Sequence, residues 1–145
     1  MHDSLQERTA ALARLATMIR TGLDEAESTI PPLNEQLDAL AELGLNAFQV
    51  EGPDVYSRPA GVSSAQDDSF VVYQAALVMP GGLGAVVWDA TEYHDHVNRP
   101  HGEPVDLAPQ FVPYQQCPTI VRALLAPHAG RLVDSLMRDV RLLGS

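Results

Sequence analysis

Residues 69–97, SFVVYQAALVMPGGLGAVVWDATEYHDHV, limit what this chain can fold into more than any other stretch. Two apolar runs, 70–79 and 83–90, flank Pro80-Gly81-Gly82. Both runs are rich in β-branched and aromatic residues, which suit a pleated surface. The glycines supply the positive-φ positions of a tight reversal. The pattern predicts a β-hairpin at the centre of a sheet. Phe70, Val72, Gln74, Ala76 and Val78 fall on one face of its first strand. Val71, Tyr73, Ala75, Leu77 and Met79 fall on the other. Both faces are apolar near the turn, as in a strand covered on both sides. No helix start and no Lys-Ser/Thr pair follows the glycines, so they read as hairpin geometry and not as a phosphate loop.

The segments on either side read as helical. Ser4-Leu5-Gln6-Glu7 has the capping-box pattern, and Leu5, Leu12, Leu15, Ile19 and Leu23 recur at helical spacing. These residues predict a first helix over 4–24. Thr29 to Pro32 predicts the start of a second, because proline suits a first helical turn. Leu33, Leu37, Leu40 and Ala41 form its stripe, and Gly44 sits at the expected C′ position. The two segments are expected to form a helical hairpin over 4–44. Each leucine stripe is short and reads as core more than as a coiled-coil surface.

Residues 45–51 alternate apolar and polar, as a first strand does. Residues 52–68 read as a loop, with a short strand around 55–58. Residues 94–116 carry Pro100, Pro104, Pro109 and Pro113, which exclude a regular helix or a central strand and predict a proline-stiffened loop. Pro118 suits a helix start, and residues 117–143 read as a C-terminal helix kinked or broken near Pro127. The expectation is one α+β domain over 1–145. Its N-terminal helical hairpin and C-terminal helix pack on a small antiparallel sheet (45–93) centred on the 69–93 hairpin.

Charge narrows the function classes. The 145 residues carry a formal net charge of −10, which argues against a phosphate backbone or an anionic membrane surface. It is compatible with a basic protein partner, or serves solubility alone. Residues 117–145 hold four Arg against two Asp, so the acidity lies in the first 116 residues. All nine basic residues are Arg, which excludes Schiff-base and Walker-lysine chemistry. The single cysteine, Cys117, excludes an intramolecular disulfide and a multi-cysteine zinc site. Its place near a helix start can lower its pKa, with simple packing as the alternative. The polar start, MHDSLQERTAAL, lacks the basic and apolar regions of a signal peptide, and no run of about 18 apolar residues occurs. A cytoplasmic location is expected.

Two constellations carry functional expectations. His94 and His96 share a face if the segment is extended, about 6–7 Å apart, and with His101 they form a candidate site for zinc or another divalent metal. Glu92, Glu103 or Asp106 are available to complete it. The competing reading is an ordinary polar strand end, and no H-E-x-x-H or G-x-S-x-G motif occurs. Tyr93, Phe111 and Tyr114 form a candidate partner-binding set, with packing of the loop onto the sheet as the alternative. The leading expectation is a small acidic accessory or regulatory protein that binds another protein, without catalysis of its own. A metal-dependent enzyme using His94, His96 and His101 is the alternative, and a small-ligand sensor is the third. A homodimer is compatible with all three.

Overall fold

The computed structural model describes residues 3–59, 67–93 and 109–143, and side chains over slightly less. The order is α1 (Asp3–Glu42), β1 (Phe48–Pro59), β2 (Asp67–Met79), β3 (Gly82–Tyr93), β4 (Gln110–Pro113), a 3-10 turn (Tyr114–Gln116) and α2 (Thr119–Asp139). The four strands form an antiparallel meander in the order β1-β2-β3-β4. With two helices packed on this sheet, the chain is of the α+β class.

The hairpin has the expected register, with Leu77 opposite Leu83 and Ala75 opposite Ala85. Gly81 and Gly82 take φ of 136° and 89°, and the Met79–Pro80 bond is cis. Period-two alternation then sends Tyr73, Ala75, Leu77 and Met79, with Leu83 and Ala85, to one face. All six are buried, in one core with Ala26, Ile30 and Leu37 of α1 and Val121, Leu125, Leu132 and Leu136 of α2. Both helices therefore cover the same face, α1 chiefly along β3 and α2 chiefly along β1. Tyr56 and Tyr73 pair across β1 and β2 with ring centroids 5.9 Å apart.

Prolines mislead the sequence reading at several points. The expected helical hairpin is a single 40-residue helix running through Pro31 and Pro32. Proline removes an intrahelical hydrogen bond, but Ala26 and Ile30 on one side and Leu37 on the other are buried against the same core. A chain reversal would forfeit that shared packing, and tertiary context overrides local propensity. The Ser28 and Thr29 hydroxyls donate to the Glu25 carbonyl, one turn below the prolines. α2 likewise continues through Pro127 and is not broken there. The helix stop is as expected: Gly44 has φ 107°, and its N–H and that of Leu45 donate to the carbonyls of Ala41 and Leu40. This is the Schellman arrangement.

The segment read as a 52–68 loop is strand up to Pro59. β1 absorbs Gly52 and Pro53 in register shifts between Glu51 and Asp54 and between Asp54 and Tyr56. The stretch read as a 94–116 loop contains β4 and the 3-10 turn. Among the described residues β4 pairs with β3 alone, with Pro113 at its last position, where a missing donor is tolerated. Residues 94–108 lie outside the described residues. Among the described residues no helix is long and apolar enough to cross a membrane.

Candidate functional site

The three aromatics expected to form a partner surface do not form one patch. Phe111 pairs with Val86 and lies on the sheet face turned away from the helices. Its ring packs over the hairpin glycines: a Cβ on Gly84 would meet it at 2.9 Å, and one on Gly81 at 3.2 Å. Tyr114 is 1% exposed and belongs to the core on the helix side. The backbone of Tyr93 pairs with Asp67 at the far end of the hairpin. That is about 20 Å beyond the part of β3 that β4 covers, at roughly 3.3 Å per residue. His94, His96 and His101 lie outside the described residues. Among those described, no group of three or more His, Cys, Asp or Glu is placed to hold a metal ion.

Tyr114 is held by a polar cluster that bridges α1, the 3-10 turn and α2. Its hydroxyl donates to Glu27 Oε2 at 2.9 Å. Arg122 Nη1 lies 3.3 Å from Glu27 Oε1, and its guanidinium sits 5.9 Å from the centroid of the Tyr114 ring. Burial, then the hydrogen bond to Glu27 and its charge, raise the phenol above its ordinary 10.0.

Cys117 is not activated by its place before α2. Burial pushes its thiol from 9.0 up to about 11, against smaller opposing effects of the Ala85 backbone and Arg122. Its Sγ donates to the Val112 and Pro113 carbonyls at 3.6 and 3.4 Å. Both Cys117 and Tyr114 thus have folded pKa values above their unfolded ones. The stabilising contribution of Cys117 is present below pH 9.0 and is lost as the pH climbs toward about 11, and that of Tyr114 begins to be lost only above its ordinary 10.0. The urea midpoint is expected to hold steady between about pH 7 and 8.5 and to fall above about pH 9. Cys117→Ala should flatten part of that fall, and an unchanged profile would show that the thiol plays no part in it. Iodoacetamide should leave the native thiol unmodified at neutral pH, since the thiolate is the nucleophile.

The described surface carries a cleft of about 450 Å³ where the middle of α1 meets the hairpin turn and the end of β4. Pro31, Pro32, Pro113 and Tyr114 supply apolar wall, and Glu35 and Asp38 supply carboxylates. Among the described residues no basic side chain lines it. Asn34 fixes its geometry. Its Oδ1 accepts from the Leu83 N–H at 2.7 Å and its Nδ2 donates to the Leu83 carbonyl at 3.3 Å, so the side chain satisfies both backbone groups of that residue. Gly82 is required beside it, because a Cβ there would come within 2.7 Å of Asn34 Oδ1. Sequence reasoning missed Asn34, since its partner is 49 residues away. The one visible signal is a polar residue beside a buried leucine stripe. A smaller cavity of about 220 Å³ lies between β1 and α2, lined by Glu51, His128, Arg131 and Leu132 among others.

Comparisons with protein-family models, curated proteins and solved structures found no match.

Proposed function

We propose that this is an accessory or regulatory protein that works by binding. Its cleft receives a basic side chain, flanked by apolar residues, from a protein partner. The observation that carries this reading is the composition of the cleft: apolar walls, two carboxylates and no counter-charge among its lining residues. An arginine suits such a place, because its stem packs on apolar surface while its guanidinium forks toward a carboxylate. The acidity of the chain, −10 overall, draws the same partner from a distance.

Short peptides with one Arg between apolar residues, set against the same peptides with citrulline, test the proposal by fluorescence anisotropy. The Arg series is expected to saturate and to weaken with salt. Changing Glu35→Gln and Asp38→Asn together should weaken it by about 2- to 30-fold, as expected for two exposed pairs of about 0.2–1 kcal/mol each. Equal binding of the two peptide series, or no change in the double variant, would sink this assignment of the cleft.

A further inference from the structure

We infer that two copies of this chain pair in antiparallel fashion through the N-terminal half of α1. That helix carries an apolar seam. Leu5, Leu12, Ile19, Ala26 and Leu33 recur every seven residues, with Ala16, Leu23, Ile30 and Leu37 four places after successive members. This is an a/d repeat, which suits packing against another helix. From Ala26 onward the protein fills the seam itself, with Ala26 and Ile30 fully buried and Leu37 at 4%. Before Ala26 it fills the seam only in part: none of residues 4–25 is fully buried, Ala16, Ile19 and Leu23 are half-buried, and Leu5 and Leu12 are 71% and 66% exposed. The same sequence pattern is therefore core in one half of the helix and increasingly open toward the other end. Most helical stability in proteins comes from packing an apolar face, and contiguous exposed leucines mark an interface.

Charge and length point to a second copy as the occupant. Residues 24–42 carry six acidic residues and no basic one, whereas the arm, 3–21, has Arg8, Arg14 and Arg20 against Asp3 and Glu7. For a chain of net charge −10, the arm is where this helix can meet its own copy without opposing like charges. The antiparallel direction keeps the two acidic bodies at opposite ends, whereas a parallel pair sets them side by side. The free seam ends where α2 crosses: a Cβ at Gly22 would lie 2.4 Å from the Ala123 carbonyl. An antiparallel partner that reaches this point places Leu5 against Leu23 of the second copy and Leu12 against Ala16. Leu15 then meets its own equivalent at the two-fold axis. At the flank left open Arg20 stands beside Gln6, so no like charges face each other there. The overlap is about 28 Å long at 1.5 Å per residue. It buries on the order of 500 Å² per copy, near the low end of specific interfaces, so the pairing is concentration-dependent.

Sedimentation equilibrium of the full chain from about 5 to 500 µM tests the pairing. The mass is expected to rise from 15.7 kDa toward twice that value. Leu12→Asp should weaken dimerisation at least about tenfold by placing a charge in the seam. It should leave the near-ultraviolet circular dichroism and the peptide-binding cleft unchanged. Leu43→Asp, at a position 83% exposed but outside the seam, should have no effect. Direction is read by mixing Gln6→Cys and Arg20→Cys proteins under mild oxidation. A disulfide between the two variants supports the antiparallel pair, and disulfides formed only within each variant overturn it. A wild-type chain that stays at 15.7 kDa throughout, or a Leu12→Asp protein that dimerises as well as wild type, overturns the inference. Either result leaves the assignment of the cleft standing.

Discussion

Tyr114→Ala is expected to lower the unfolding free energy by about 3–5 kcal/mol, the usual cost of truncating a buried aromatic ring. The ring is 1% exposed and touches the same core as Ile30 and Val121. Removing it opens a hole at the junction of α1, the 3-10 turn and α2. Tyr114→Phe separates the packing from the polar part. It keeps the ring and deletes only the hydroxyl that donates to Glu27. Because Glu27 is 43% exposed in its side chain and retains Arg122 as a partner, water replaces the lost donor. The expected cost is about 0.5–1.5 kcal/mol. Urea unfolding of both variants decides the matter. A Phe variant as unstable as the Ala variant would mean that the hydrogen bond, not the ring, holds the junction together.

Gly22→Ala is the second large effect, and here the local rule and the tertiary structure disagree in sign. In a solvated helix the change stabilises by about 1 kcal/mol. In this protein a Cβ at Gly22 would stand 2.4 Å from a backbone carbonyl, that of Ala123. A backbone atom cannot swing aside, so α1 and α2 must separate. Such overpacking costs about 1–3 kcal/mol, with net destabilisation expected. Pro127 explains why the helices approach so closely there. It lies four residues after Ala123 inside α2 and has no N–H to give that carbonyl. That carbonyl lies against Gly22, the one glycine of α1. Gly130→Ala is the matched control. It lies in the same α2, and a Cβ there meets nothing within 4 Å, so it should gain up to about 1 kcal/mol. Thermal midpoints shifting in opposite directions would support this account, and a stabilising Gly22→Ala would refute it.

The parts of the fold legible in the sequence are those fixed by short-range periodicity. The hairpin register follows from alternation around Pro80-Gly81-Gly82, and the end of α1 follows from Gly44. Most of the misread boundaries involve proline. Pro31-Pro32 read as a helix start, Pro53 as a loop, Pro109 and Pro113 as the absence of a strand, and Pro127 as a possible break. In the helices the local penalty is real, but burial of neighbours such as Ile30, Val121 and Leu125 outweighs it; in the strands Pro53 falls at a register shift and Pro113 at the end of an edge strand. The signal for an unbroken α1 was present all the same. Ala26 and Ile30 carry the seven-residue seam across the supposed hairpin turn. The candidate site was less legible. Tyr114 read as a surface aromatic because it sits among prolines, and its burial depends on two helices distant in sequence. Asn34 could not be singled out without knowing that Leu83 lies opposite.

The two outer strands have a consequence for the fate of the protein at high concentration. An antiparallel meander presents a row of unpaired N–H and C=O groups along each rim, and a long flat rim is a template for cross-β growth. Here β1 is interrupted by bulges around Gly52-Pro53 and exposes Glu51, Asp54 and Arg58. β4 is only four residues long and ends in Pro113. Neither rim offers an incoming strand more than a few bonds in register. If copies pair through the helical arm as inferred above, association is expected to stop at a closed pair, with added concentration giving more pairs and not fibres.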